Sequence, residues 1–264
     1  MRETVAAVLP ELLEQVIAAV GSDPFARVDE GTAFAQPAIF CASLAGWYSL
    51  DAGERDRAAF FAGHSLGEIG ALVAAGRLSE TDGLALVTLR GRLMQEAGES
   101  AGAGGMVAVL GANAAEQAPD LAAGHGLAVA NDNSPQQVVL SGRRDALGDA
   151  VAAAKALGLR AMILPVTGAF HSPMMESATT EFGAALERVQ IAPGRGTVIS
   201  AVTAEPFDDV RRRLLEALTR PVRWREVMLA LQGLGATRFL EVGPGKVLVG
   251  LAKRTVSDVE LVSA

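Results

Sequence analysis

Ten consecutive residues constrain this chain most: Ala58-Ala59-Phe60-Phe61-Ala62, then Gly63-His64-Ser65-Leu66-Gly67. A short apolar run closed by glycine reads as a buried parallel strand. The small-residue segment that follows, Leu66 to Ala75, reads as a helix stopped by Gly76. Strand, tight turn and helix in succession are the local grammar of α/β proteins. A serine on such a turn occupies strained, exposed backbone, and the flanking glycines remove side chains that would collide there. Ser65 is therefore a candidate nucleophile. The N–H of Leu66, at the helix N-terminus, is a candidate oxyanion donor. The plainer reading is an ordinary glycine-rich strand–helix connection.

The pattern around this turn divides the chain. Helical periodicity covers Glu3 to Val20, and residues 22–36 read as a connecting loop. Gln36-Pro37 opens an apolar helix over Ala38–Leu50, and residues 51–57 read as charged and exposed. A further helix is expected from Ser79 to about Ala97, then a linker over 98–104. The next elements run strand (Met106–Leu110), helix (Ala114–Ala123), two strands (Leu127–Asn131, Gln137–Ser141), helix (Arg144–Leu157) and strand (Ala161–Val166). That β-α-β-β-α-β order is the ferredoxin-like plan. Residues 102–166 thus read as a small inserted subdomain, with 1–101 and 167–264 forming one large α/β domain. In the second part, residues 172–188 read as helical, Thr197–Val202 as a strand, Val210–Leu218 and Trp224–Leu234 as helices, and Arg238–Val242 as a strand.

A serine nucleophile needs a base. Of the three histidines, His64 adjoins Ser65 and would point away on the turn, and His125 lies in a Gly-flanked loop. His171, in Gly168-Ala169-Phe170-His171-Ser172-Pro173, lies where the chain returns from the insert. That places it at a subdomain cleft, where sites tend to form. Arg90 sits among Leu84, Leu86, Val87, Leu89 and Leu93, and an arginine on a mostly buried helix needs an anion. The anion is either an internal Asp or Glu or a substrate carboxylate. Gly243-Pro244-Gly245-Lys246 fails as a phosphate loop, since no glycine stands five before Gly245 and Val247 replaces the Ser/Thr. Arg211, Arg212 and Arg213, with Arg220, Arg223 and Arg225, form either a solvated face or a basic patch for an acidic partner.

Composition excludes several classes. Half of the 264 residues are hydrophobic, enough for a sizeable core, and no run is long enough to span a bilayer. A net charge of −7 argues against non-specific nucleic-acid binding. The lone cysteine, Cys41, excludes an internal disulfide and suits a cytoplasmic location. His64 and Glu68 stand four apart, but two ligands do not make a metal site, so no metal is expected.

Together these residues resemble the malonyl-CoA:acyl carrier protein transacylase family. The resemblance rests on Gly63-His64-Ser65-Leu66-Gly67-Glu68, Arg90-Gly91 with Met94-Gln95-Glu96, Asn133-Ser134-Pro135, Phe170-His171-Ser172, Pro221-Val222-Arg223-Trp224 and Glu241-Val242-Gly243-Pro244-Gly245-Lys246-Val247-Leu248. It implies an α/β-hydrolase-like large domain with a mostly parallel sheet, carrying the ferredoxin-like subdomain. It implies Ser65 as acyl-accepting nucleophile, His171 as base, Leu66 as oxyanion donor and Arg90 as holder of the malonyl carboxylate. His64, Met94, Phe170 and Asn133 complete the implied substrate-binding set. In the family the histidine is oriented by a main-chain carbonyl, here near Ala217. Leu66 and Phe170 resemble malonyl-selective members. The substrate would be malonyl-CoA and the partner acyl carrier protein. No resident cofactor, no nucleic acid and no membrane is expected, and monomer is the default. Family members begin with a strand and a Gly-Gln-Gly-Ser-Gln loop whose Gln helps form the oxyanion hole; neither is found here, and Met1 falls about where that loop ends. Two other readings compete: a serine hydrolase or thioesterase, and a catalytically impaired transacylase-like binding protein.

Overall fold

The computed structural model describes residues 1–100 and 104–264. The opening segment forms two helices, α1 (Arg2–Val8) and α2 (Pro10–Val20), where periodicity suggests one. Pro10 takes the first position of the second helix, where its missing N–H costs nothing, and so breaks the run. Helix α3 (Thr32–Ser49) starts six residues before the predicted Ala38, leaving Pro37 inside it. The reason is tertiary: the Gln95 side chain accepts from the Ala33 N–H at 3.1 Å and anchors a first turn upstream of the proline. Residues 51–57, expected as exposed chain, form α4 (Ala52–Arg57), capped by Asp51 accepting from the Glu54 N–H at 2.8 Å.

Strand β1 (Phe60–Ala62) then runs into α5 (Gly67–Ala74), followed by the long α6 (Glu80–Ser100). Helices α3 and α6 pack against each other and form the centre of the large core, with Phe40, Leu44, Leu86 and Met94 buried between elements. Residues 98–100 of the expected linker continue α6; the rest of that linker before Gly104, and the expected boundary at 101/102, lie outside the described residues.

The insert comprises β2 (Gly104–Leu110), α7 (Ala114–Gly124), β3 (Ala128–Ser134), β4 (Gln137–Arg143), α8 (Arg144–Ala156) and β5 (Arg160–Ile163). Its strands pair antiparallel in the order β3-β4-β2-β5, the ferredoxin-like order. Alternation along β2 and β4 explains the two faces. Val107, Val109, Val138 and Leu140 pack on α7 and α8. Met106, Ala108 and Val139 turn the other way and, with Ala130, receive Phe170 of the large domain.

The chain returns through a 3₁₀ turn (Pro173–Ala178) and α9 (Thr179–Leu186), then β6 (Thr197–Ile199), α10 (Val210–Glu216), α11 (Trp224–Gly233), β7 (Arg238–Glu241), α12 (Val247–Ala252) and β8 (Glu260–Ser263). The large domain is α/β, and its strands are parallel as expected, but they form two separate pairs, β1 with β6 and β7 with β8. No ladder joins the pairs among the described residues; Phe60, Ala62, Phe239 and Leu261 of both pairs instead share one apolar cluster with Trp224 and Met228. Glu241 closes the Gly243-Pro244-Gly245 turn, its two oxygens accepting from Leu248 N–H at 3.0 Å and Val249 N–H at 2.8 Å. That carboxylate at the start of α12 makes the turn structural.

The two domains are joined along β3. Val222 donates to the Ala130 carbonyl at 2.8 Å and accepts from the Asp132 N–H at 2.9 Å. Arg225 adds an ion pair to Asp132 at 2.7 Å. Backbone pairing of this kind holds register better than side-chain contact alone.

The turn after β1 is equally tight. A Cβ added to Gly63 would lie 1.9 Å from the Gly67 carbonyl carbon, against fixed backbone. Gly63→Ala should therefore destabilise by more than the ~1–3 kcal/mol of ordinary overpacking, read as a large fall in Tm or loss of soluble protein.

Candidate active site

Ser65 sits at the apex of that turn with φ 54°, and His171 has φ 57°. Left-handed backbone at a residue with a side chain is costly and collects at functional positions. The two side chains meet: Ser65 Oγ lies 2.8 Å from His171 Nε2. His171 Nδ1 lies 2.8 Å from the Ala217 carbonyl oxygen. A carbonyl only accepts, so Nδ1 carries the proton and Nε2 is left free to accept from the Ser65 hydroxyl. The backbone oxygen thus does the work of an acidic third residue, at the position the resemblance implies. Burial pushes the His171 pKa down to about 3, with Arg90 and then His64 adding to the fall. The imidazole is neutral at physiological pH and ready to act as a base.

Arg90 is brought to the same point by α6. It is 3% exposed. Its Nη2 donates to Ser65 Oγ at 3.1 Å and its Nη1 donates to Gln36 Oε1 at 2.7 Å. No carboxylate among the described residues bonds to it. Burial pulls its pKa down to about 10, opposed by the charge of Glu68, so it stays a cation at neutral pH. A buried cation with only neutral partners is a receptor for an anion.

A cavity of about 190 Å³ opens on these groups, lined by Ser65, His171, Arg90, Leu66, His64, Met94 and Phe170, and also by Thr32, Gln36, Met106 and Asn131. A wider hollow of about 490 Å³ between Trp47, Tyr48, Arg55 and Arg195 lies at the other end of α5 and contains none of these groups. The Leu66 N–H takes no acceptor among the described residues, as an oxyanion donor requires. His64 points away from Ser65 toward the insert and donates from Nε2 to Asn133 Oδ1 at 2.8 Å. Its ring stands edge-on to Trp224 at 5.6 Å, and burial lowers its pKa. Asn133 is thus one step behind the cavity wall, and Asn131 is the asparagine that reaches it. His125 caps the far end of α7 and takes no part.

Gln36, Thr32, Met106, Asn131 and Glu68 are absent from the sequence-derived site. Gln36 reads there only as the start of a helix, yet its Nε2 donates to Thr32 Oγ1 at 2.9 Å while its Oε1 holds Arg90. The close approach of α3 and α6 that permits this depends on Gly91, where a Cβ would lie 2.8 Å from the Thr32 carbonyl oxygen. The available signal was a polar residue inside an otherwise apolar helix. Glu68, paired with His64 as a possible ligand in the sequence, diverges from it: Glu68 Oε1 accepts from the Ala201 N–H at 2.7 Å. The described residues contain no cluster able to hold a metal ion, and no helix long and apolar enough to cross a membrane.

The arginine-rich segment is not a bare basic patch. Arg212 and Arg213 pair with Asp208, Arg213 also with Glu216, Arg223 with Glu226 and Arg225 with Asp132. Arg211 donates to the Leu186 and Val189 carbonyls. Five of the six charges are met by an acid or a backbone carbonyl; the Arg220 side chain has neither among the described residues.

Three outcomes follow from this geometry. Gln36→Ala removes a neutral anchor of a charged group and should weaken substrate binding about tenfold, read as a raised KM. Protonation of His171 is displaced far below that of an ordinary histidine, so the rate of serine acylation should show no His171 inflection near pH 6.5. The same burial sets a stability trend: the unfolded chain protonates this histidine and the folded one does not, so stability should fall as pH drops from about 6.5 toward 3. A urea titration across that range, on wild type and His171→Gln, reads the trend as a shallower slope in the variant.

Comparison with known proteins identifies the family. A family model described as "Acyl transferase domain" matches residues 13–264. The malonyl CoA-acyl carrier protein transacylase of Salmonella typhimurium is 36% identical over 263 residues, covering 94% of this chain and 85% of that protein. The polyketide biosynthesis protein ThaF of Burkholderia thailandensis is 40% identical over 228 residues, covering 84% of this chain but 19% of that much longer protein. The crystal structure of malonyl-CoA:acyl carrier protein transacylase from Xanthomonas oryzae superposes with a TM-score of 0.90 at 36% identity, covering 100% of this chain and 89% of that one. With the family model, the curated relatives and the solved structures in agreement over most of its length, the chain belongs to the acyl transferase domain family.

Proposed function

We propose that this chain moves a malonyl group from malonyl-CoA to the phosphopantetheine thiol of an acyl carrier protein, through a malonyl ester on Ser65. The observation that carries the reading is Arg90: a buried guanidinium with neutral partners only, touching the nucleophile itself. A carboxylate on the acyl group supplies the hydrogen-bonded anion that Arg90 lacks and is held beside the reacting carbonyl. The transacylases named above act on the same substrates by their names, which supports the assignment.

In the first half-reaction Ser65 Oγ attacks the thioester carbonyl while His171 Nε2 takes its proton. The developing oxyanion faces the Leu66 N–H. The C–S bond breaks, and His171 returns the proton to the departing CoA sulfur. In the second half the carrier thiol gives its proton to His171 Nε2 and attacks the ester carbonyl. The C–Oγ bond breaks and Ser65 recovers its proton. The Arg90 bond to Ser65 Oγ yields to the acyl carboxylate, which turns a holder of the resting nucleophile into a holder of its substrate. Leu66 and Phe170 stand on the cavity wall beside Arg90 and limit room for an α-methyl branch; a single methyl is worth about 1–3 kcal/mol, so they bias against methylmalonyl rather than bar it. The chain brings no cofactor to this chemistry, since the phosphopantetheine arrives on the partner. A cytosolic location suits its single, buried cysteine. A simple ester hydrolase has no use for the buried cation, which disfavours that alternative.

Incubation with malonyl-CoA followed by intact-mass measurement tests the assignment. Wild type should gain one malonyl group and pass it to acyl carrier protein. Ser65→Ala should gain none, and His171→Ala should load about 10²–10⁴-fold more slowly. Arg90→Ala should lose about 10²-fold in kcat/KM for malonyl-CoA and far less for acetyl-CoA. A neutral ester turned over faster than malonyl-CoA would overturn the reading.

A further inference from the structure

Glu68 is a completely buried acid that the mechanism above does not use. It follows the nucleophile by three residues, and its N–H donates to the Ser65 carbonyl at 3.1 Å. Its Oε1 accepts from the Ala201 N–H at 2.7 Å, where the chain leaves β6. Its Oε2 is buried and has no hydrogen-bond partner among the described residues. A carboxylate with one orphaned oxygen in a dry site is poorly held as an anion.

The charged group that acts on Glu68 is Arg90, from α6. From the end of β6 it faces only neutral groups, the Ala201 amide and the Ser200 hydroxyl. The two buried histidines of the site are held neutral by burial. Glu68 and Arg90 therefore form a buried pair of opposite charge with no hydrogen bond between them among the described residues; the Arg90 bonds go to Gln36 and Ser65, and Glu68 Oε1 is held by Ala201.

We propose that Glu68 is a specificity-determining positioning residue: its buried carboxyl shares the field of Arg90 with the incoming acyl carboxylate and takes up a proton when that carboxylate docks. This rests on the proposed function, which puts a carboxylate on Arg90. Before docking, the pair is neutral with Glu68 charged. After docking, a charged Glu68 would leave two carboxylates against one guanidinium in a water-poor site. Uptake of one proton from solvent restores neutrality. Burial raises the Glu68 pKa to about 7, with Ala201, Arg90 and Ser200 pulling the other way, so the proton is within reach at physiological pH. A neutral acyl group such as acetyl brings no charge and calls for no proton.

Two measurements test this. The first needs no substrate. The carboxyl infrared band of Glu68, isolated as wild type minus Glu68→Gln, is titrated with and without Arg90→Gln. Removal of the cation should move the midpoint upward. Gln at 68 keeps an acceptor for the Ala201 N–H; if that variant does not fold, ¹³C NMR of labelled glutamate reads the same titration in wild type and Arg90→Gln. The second is the KM for malonyl-CoA in wild type and Glu68→Gln between pH 6 and 8.5. The wild-type to variant ratio should rise above neutrality, by up to about tenfold per pH unit, because only the protonated form admits the carboxylate freely. The ratio for acetyl-CoA should be flat, which removes the titration of CoA itself. A midpoint indifferent to Arg90, or a malonyl ratio constant with pH, overturns the proposal. If wild type loads no malonyl at all while the midpoint still follows Arg90, the transacylase reading fails and the coupling of the two groups is supported.

Discussion

A positive charge buried without a hydrogen-bonded counter-ion organises this molecule. Arg90 is costly to keep where it is, and the surrounding structure is arranged to tolerate it. Helix α3 begins early enough to place Thr32 and Gln36 opposite it, Gly91 lets α3 and α6 approach closely, and Ser65 is turned back so that its hydroxyl accepts from Arg90 Nη2. The same hydroxyl must donate to His171, whose tautomer is set by a backbone oxygen. None of these hydrogen bonds brings Arg90 a negative partner, and the one buried acid in its field, Glu68, bonds to Ala201 instead, which leaves a vacancy for a hydrogen-bonded anion that the malonyl carboxylate of the proposed reaction would fill.

The elements around the vacancy are linked in a circuit. Glu68 ties the serine helix to the end of β6 through Ala201. The Ala201 carbonyl accepts from the Arg223 N–H at 2.8 Å, and the neighbouring Val222 pairs with β3. From β3, Asn133 returns to His64, the residue before the serine. The inserted subdomain is therefore part of the wall that holds the nucleophile turn, joined to it by backbone bonds on one side and an imidazole on the other. The open face of its sheet seats Phe170, which fixes the approach of His171.

The parts of this site legible in the sequence are those whose chemistry is local. Gly63-His64-Ser65-Leu66-Gly67 declares a strand–turn–helix because the geometry lies within five residues, and the alternation of short strands and helices marks the ferredoxin-like insert. Arg90 stands out as a charge in an apolar helix. Gln36 does not, because its role is defined by a partner 54 residues away. The orienting group for His171 is a carbonyl that any residue at 217 would supply, so its side chain carries no signal, and only the family resemblance points to the position. Helix α3 shows a further limit: Pro37 suggests a start, and the Gln95 side chain overrides it from another helix. Three of the four parallel strands were legible one at a time; β8 was not, and the separation into two pairs is a property of the tertiary assembly.

Both Ser65 and His171 lie in left-handed backbone, a conformation that costs a residue with a side chain roughly 1–2 kcal/mol and costs glycine nothing. The two residues proposed to do the chemistry are thus also two places where the fold is under tension. Selection of this chain for thermal resistance alone, with no demand for turnover, would reward glycine at either position and drift toward a sturdier, inert protein. Two left-handed non-glycine residues in hydrogen-bond contact, retained against that gradient, are themselves a mark of use that can be read from the main chain before any side chain is considered.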